Sequence, residues 1–236
     1  MRYCDLHCDA LTQTGERQIT KENLRQGDCF LQCFAAFVSA RENRFNSALA
    51  LCDKFDKLCN TEGYHAIKSR SDLKADAINA LLTVEEGGAL EGKIENLQTL
   101  YERGVRMITL TWNYPNEIGF PNFPDYEGLV AGRVPFSRRE TERGLTAFGF
   151  EAVEKMCSLG VLPDVSHGSD RLFFDTETVC KRAGTPFVAS HSGANSVCDC
   201  ARNLTTDQIK TLADCGGVVG LDFCADFVSA DTSAEG

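Results

Sequence analysis

No apolar run in this chain approaches the roughly 18 residues that span a membrane. Its start carries no basic, apolar, small-residue leader, since Met1-Arg2-Tyr3-Cys4-Asp5 goes directly into a strand-like segment. Positive charge is short as well: 24 Lys and Arg face 34 Asp and Glu, for a formal net charge of −10. Nucleic acid and anionic membrane surfaces are held by clustered basic side chains, so neither is expected as a partner. The cytoplasm is then the default address. Histidine occurs four times and tryptophan once. Cysteine is the exception, at 12 residues. In a long chain without a leader they do not read as a disulfide framework. Cys4, Cys29, Cys33, Cys157, Cys180 and Cys215 sit in apolar or helix-like surroundings, where a thiol acts as a small hydrophobe. Cys198-Asp199-Cys200 and Cys52…Cys59 lack the paired spacing of a zinc ribbon. With 236 residues, 43% of them hydrophobic and 25% charged, the chain can bury one sizeable core, and residues 1–236 read as a single domain.

Residues 160–203 contain one short pattern twice. Val161, Leu162 and Val165 lead to Ser166-His167, a helix-compatible stretch runs from Asp170 to Arg182, and Pro186-Phe187-Val188-Ala189 leads to Ser190-His191. Short buried strands alternating with helices predict βα units and a parallel sheet. The carboxyl ends of such strands are where these folds build their sites.

The rest of the chain extends the rhythm. Residues 2–9 read as a first strand, on which His7 and Asp9 point to one side. Thr20 caps a short helix, and Cys29 to Ser39 is a second, apolar strand. Residues 43–62 form an amphipathic helix with Phe45, Leu49, Leu51, Phe55 and Leu58 on or near its buried stripe, and His65 follows as a surface residue. Ala80 to Val84 is a third strand ending in Glu85-Glu86-Gly87-Gly88, a carboxylate at a strand tip followed by glycines. A helix over 91–103 precedes a fourth strand, Val105 to Thr111, which runs into Trp112 and Asn113. A long loop from Phe120 to Arg143 then lies over the strands' carboxyl ends, with Trp112 either stacking on a ligand or plugging the loop. Leu145 to Leu159 is helical, as is Thr205 to Cys215 with Thr205 as N-cap; Gly216 to Phe223 is a seventh strand, and the small polar residues from Ala225 onward fray. The fold class is α/β, a TIM-like (β/α) barrel with about seven of its eight units, the eighth strand missing.

Collecting the strand tips gives His7 and Asp9, Glu85, His167 and His191. Imidazoles and carboxylates converging from different strands can hold two divalent ions with one carboxylate between them. Such a pair lowers the pKa of a shared water and presents it as hydroxide.

Five segments spread over nearly the whole chain resemble the membrane (renal) dipeptidase family of zinc dipeptidases. They are Asp5-Leu6-His7-Cys8-Asp9, Val84-Glu85-Glu86-Gly87-Gly88, Leu110-Thr111-Trp112-Asn113, Asp164-Val165-Ser166-His167, and Ser190-His191-Ser192-Gly193-Ala194 leading to Cys198 and Arg202-Asn203. The resemblance implies that His7 and Asp9 ligate one zinc, His167 and His191 the other, and Glu85 bridges them in a catalytic role, with Glu86 the alternative bridge. It also implies a dipeptide substrate whose terminal carboxylate is held by Arg202, with Trp112 and Asn113 beside it; the bridging hydroxide attacks the scissile carbonyl. The same ligands suit manganese or cobalt.

Two departures stand out. The family usually has histidine where this chain has Trp112, and it continues to an eighth strand with an Asp-Phe-Asp-Gly segment that has no counterpart here, Asp222 lying on the seventh strand instead. A truncated member is therefore expected, with an open edge that invites pairing into a homodimer. Two rival readings stay open. One is a barrel amidohydrolase acting on a cyclic amide or lactone, which has no use for a carboxylate clamp. The other is a metal-binding fragment without turnover.

Overall fold

The computed structural model describes residues 2–39 and 41–229, and the chain divides after Ile108 into two compact units. The first runs β1 (Tyr3–Asp5), α1 (Lys21–Gln26), β2 (Cys29–Phe37), α2 (Arg44–Glu62), β3 (His65–Ile67), β4 (Asn79–Glu85) and α3 (Ile94–Arg103), and reaches the start of β5 (Met107–Thr109). β1 pairs in parallel with β2, β2 with β4, and β3 with the beginning of β4. β2 is an almost unbroken apolar run, the pattern of a parallel strand covered on both faces. Its last residue, Phe37, pairs with Glu85. The ladder thereby carries Glu85 to the sheet's carboxyl end, where its carbonyl accepts the Val38 N–H. Thr20 caps α1 as expected, its hydroxyl accepting the Asn23 N–H.

Two expectations need correction here. The first strand stops at Asp5, so His7 and Asp9 lie in the irregular segment after it. On α2, Leu51 and Phe55 are buried with Ala48, Cys52 and Cys59, and Phe45, Leu49 and Leu58 lie half-buried beside them, as residues on or near the stripe should. His65 is not a surface residue after the helix but the first residue of β3, half-buried, with Nε2 2.6 Å from the Asp72 carbonyl.

The second unit contains α4 (Tyr126–Val130), α5 (Ala147–Leu159), β6 (Leu162–Asp164), α6 (Asp170–Ala183), α7 (Thr206–Asp214) and α8 (Ala225–Val228). The Leu110 N–H donates to the Asp164 carbonyl and the Val165 N–H to Val188. Asp164 and Val188 form a single parallel bridge, as do Ala189 and Val219. The expected sixth and seventh strands are therefore isolated bridges, not strands. Pro186 has no N–H to donate, and Gly216, Gly217 and Gly220 bring no side chains to pack. Gly217 serves closeness instead: a Cβ there would lie 2.2 Å from the Phe187 carbonyl oxygen.

The 120–143 segment is tethered. It contains α4, and its backbone donates from Asn122 to His167 and from Glu140 to Asn122. Phe123 packs with Cys198, Cys200 and Ala201. All twelve cysteines are free and most are buried; of the expected small hydrophobes Cys29, Cys33 and Cys180 are buried, Cys157 and Cys215 are half-buried, and Cys4 is exposed. Parallel pairing with intervening helices makes the chain α/β. No helix among the described residues is long and apolar enough to cross a membrane.

Phe34 on β2 is fully buried against Phe55 and Tyr64, with ring centroids 5.9 and 5.3 Å away. Phe34→Ala should destabilise the chain by about 3–5 kcal/mol, the usual cost of emptying a core phenylalanine site. A urea titration that leaves the midpoint where it was would contradict this packing.

Candidate active site

In the first unit the chain brings one histidine to two carboxylates. The segment after β1 is stitched down at two points. The His7 N–H donates to Asp5 Oδ1 at 3.1 Å, and the Cys8 carbonyl accepts the Ala35 N–H at 2.9 Å. His7 Nε2 then lies 3.2 Å from Glu85 Oε2 and 3.6 Å from Asp9 Oδ1. Glu85 is nearly fully buried, whereas Asp9 is half open to solvent. Glu86, in left-handed backbone at φ 84°, turns its Oε1 back to accept the Gly88 N–H at 2.7 Å. Of the two glutamates, Glu85 is the one that faces the imidazole. Burial pushes the His7 pKa down, but hydrogen bonding and charge from Asp9 and Glu85 outweigh it and lift the pKa to about 10. A ring nitrogen between two carboxylates is a position that favours a cation, and the donor set fits a divalent metal.

The second unit holds the other two histidines, and an aspartate that the sequence quoted only as part of a motif organises them. Asp164, at the end of β6, is 0% exposed. Its carboxylate accepts from Thr109 Oγ1 at 2.6 Å, Ser190 Oγ at 2.5 Å, and the backbone N–H groups of Ser190 and Ser166 at 2.9 and 3.0 Å. Burial alone would raise its pKa; the charge of His191 and these donors bring it below the ordinary carboxylate value. Since the Ser190 hydroxyl donates to Asp164, it accepts from His191 Nδ1 at 2.7 Å. His167 Nδ1 in turn meets Asn113 Oδ1 at 2.8 Å.

When the rings are neutral, this network favours the proton on Nδ1 of each, with Nε2 carrying the lone pair. The two Nε2 atoms are 3.0 Å apart. Two imidazole nitrogens this close share either a proton or a cation, and zinc–nitrogen distances of about 2.0–2.1 Å let one ion reach both. His167 has φ 66°, a left-handed backbone uncommon outside glycine. The bond from the Asn122 N–H to its carbonyl, 2.7 Å, holds it there.

Arg202 is 3% exposed, a guanidinium buried inside the unit rather than one on its surface. Its Nη2 donates to the His191 carbonyl at 3.0 Å and lies 3.6 Å from Asp222 Oδ2, with the guanidinium 5.3 Å above the Phe227 ring. The loop that carries it closes through Asn203, whose Oδ1 accepts the Gly193 N–H and whose Nδ2 donates to the Cys198 and Phe227 carbonyls. A Cβ on Gly193 would sit 2.4 Å from that Oδ1, which is why glycine stands there. Trp112 is half-buried among Tyr114, Tyr126 and His167. Asn113, expected beside the substrate, is buried on His167. Asp164, Ser190 and Asp222 were given no role from sequence. A serine directly before each histidine, and an aspartate three residues before the first, were the available signals.

The model of the family described as membrane dipeptidase (peptidase family M19) matches residues 3–235. A Klebsiella pneumoniae protein described as an uncharacterized protein in the pqqA 5′ region is 36% identical over 159 residues, covering 67% of this chain and 54% of its own length. Mouse (Mus musculus) dipeptidase 3 is 29% identical over 229 residues, 92% of this chain and 44% of its own. The chain thus spans about half the length of these curated relatives. Among solved structures, a metallopeptidase from Rhodobacter sphaeroides, liganded with a phosphinate mimic of the dipeptide L-Ala-D-Ala, shares the fold. Its TM-score is 0.72 at 20% identity, covering 89% of this chain and 66% of that one.

In the metal-free protein His7 should titrate near pH 10 by NMR. Because the folded value exceeds the ordinary 6.5, the His7 contribution to stability is complete below about 6.5 and is lost as pH rises through about 10. Glu85→Gln should bring the midpoint down toward 6.5; an unmoved titration would show that Glu85 does not hold the proton.

Proposed function

The chain belongs to the membrane dipeptidase family, and from that premise we propose that it hydrolyses the peptide bond of small dipeptides at a binuclear divalent-metal centre in an incomplete (β/α) barrel. The observation that carries this reading is the pair His167 and His191, whose Nδ1 atoms are engaged and whose Nε2 atoms face each other at 3.0 Å. In this reading His167 and His191 take one cation, His7 and Asp9 the other, and Glu85 bridges. Its support is the motif resemblance together with the carboxylates around His7. Zinc is the first expectation for imidazole and carboxylate ligands, with manganese and cobalt open to the same set.

Bound ions of this kind supply a water that ionises near neutral pH and a Lewis acid for the scissile carbonyl. The chain's own residues do the rest. Asp164, acting through Ser190, keeps His191 in the tautomer that offers Nε2, and Asn113 does the same for His167, so neither ring has to reorganise when a cation arrives. Arg202 offers a planar fork to the substrate's terminal carboxylate. Being buried and tied to the His191 carbonyl, it fixes the distance between that carboxylate and the metal ligands, which selects for dipeptides over longer peptides. Asp222 balances the guanidinium before substrate binds. The Rhodobacter structure's dipeptide mimic supports the same substrate class. Side-chain preference falls to the 113–143 segment. Twelve unbridged thiols suit a reducing compartment, and the cytoplasm belongs to this reading.

A panel of dipeptides assayed with and without a chelator tests it. Hydrolysis should stop on chelation and return with a divalent ion; activity indifferent to chelator would refute the metal reading. Arg202→Lys should raise KM about ten- to a hundredfold with a smaller effect on kcat, the loss expected for one charged, bidentate contact. Dipeptide amides, which lack the carboxylate, should be poor substrates for the parent chain and insensitive to that change. Asp164→Asn should weaken metal affinity about 10–100-fold, the usual penalty for removing a partner behind a ligating histidine. Calorimetric titration with zinc measures it, and an unchanged affinity would remove Asp164 from this role.

A further inference from the structure

α5 and α6 pack along each other and end close together. Cys157 lies in the last turn of α5 and is half-buried; Cys180 lies in the last turn of α6 and is fully buried. Their sulfurs are 3.8 Å apart. We propose that Cys157 and Cys180 form a reversible dithiol–disulfide pair that exchanges with small disulfides.

The two thiols differ in ways that assign them separate roles. Cys157 is the accessible one, and the hydrogen bond from Cys180 lowers its pKa to about 6 against the opposing effect of burial. The same contact, with burial, pushes the Cys180 pKa up. Cys157 therefore attacks, because the thiolate is the nucleophile, and Cys180 resolves. The same helix–helix seam carries a depression of about 340 Å³ lined by Glu154, Val179, Arg182 and Ala183. Glu154 stands one turn before Cys157 and Val179 directly precedes Cys180, so the depression gives a small disulfide a place beside the pair.

The exchange balances. The Cys157 thiolate attacks one sulfur of RS–SR, forming a mixed disulfide and releasing one RS⁻. The Cys180 sulfur, giving up its proton, then attacks Cys157 Sγ, forming the protein disulfide and releasing the second RS⁻. Two protein thiols lose two electrons and two protons, and RS–SR gains both to become two RSH. An S–S bond of about 2.05 Å requires the sulfurs to approach by rotation of the two side chains. The bridge closes a loop containing β6 and His167, so it ties down the strand–turn–helix unit that presents one of the candidate ligands.

The test incubates the folded chain with oxidised glutathione, blocks the remaining thiols with iodoacetamide and maps the peptides without reduction. A Cys157–Cys180 crosslink that dithiothreitol reverses is the expected result. Cys180→Ala should stop at a glutathione adduct on Cys157, and Cys157→Ala should leave Cys180 unmodified; circular dichroism confirms that each variant is folded. No crosslink in the parent chain, an adduct on Cys157 that never resolves, or a first crosslink between other cysteines would overturn the proposal. None of these outcomes depends on metal binding or hydrolysis, so the pair stands or falls apart from the dipeptidase reading.

Discussion

A carboxylate taken wholly out of water is costly unless donors replace its hydration, and Asp164 has four of them. That requirement fixes much of the second unit. To satisfy Asp164, the backbones of Ser166 and Ser190 must both converge on the end of β6, and the Ser190 hydroxyl must point inward. Once it does, only its lone pairs remain for His191, and the tautomer of that ring follows. The repeated Ser-His pattern is thus more than two equivalent strand ends. Ser166 gives its N–H to Asp164 and its hydroxyl accepts the His191 N–H, so the first repeat supports the second.

The arginine loop depends on the same arrangement. Arg202 reaches back to the His191 carbonyl, and Asn203 knots the loop by filling the space that Gly193 leaves open. Position and charge therefore reach Arg202 through backbone contacts rather than through a surface salt bridge. A guanidinium buried in this way is expensive without a counter-charge, which Asp222 contributes from 3.6 Å. A carboxylate-bearing ligand would meet a preset, dehydrated cation, where one ion pair counts for more than it does in water.

The elements with strong local signals were readable from sequence. The unbroken apolar run of β2, the Thr20 and Thr205 caps, and helices α5 and α6 all appear about where composition and periodicity put them. The errors fall where pairing depends on partners far away in the chain. β3 is three residues long and takes its identity from β4, so His65 looked like a surface residue. The runs around Val188 and Val219 looked like strands because they are apolar, yet proline and glycines leave them with isolated bridges, Val188 to Asp164 and Ala189 to Val219. At the site, histidines and acids were easy to pick out as candidate ligands. The groups that orient them, Asp164 and Ser190, were not, because a serine or an aspartate near a strand end is common and only its hydrogen bonds distinguish it. Asn113 shows the same limit: its residue type suits substrate contact, and only the fold reveals that its Oδ1 meets His167 Nδ1.

Anomalous diffraction at the zinc absorption edge, from crystals of the chain grown with zinc, locates the cations without reference to activity. Two peaks per chain are predicted, one ligated by Nε2 of both His167 and His191, the other by His7 and Asp9, with Glu85 touching both. A map in which His167 and His191 share no ion, or in which His7 keeps only its carboxylate partners, would contradict the metal centre on which the dipeptidase assignment rests.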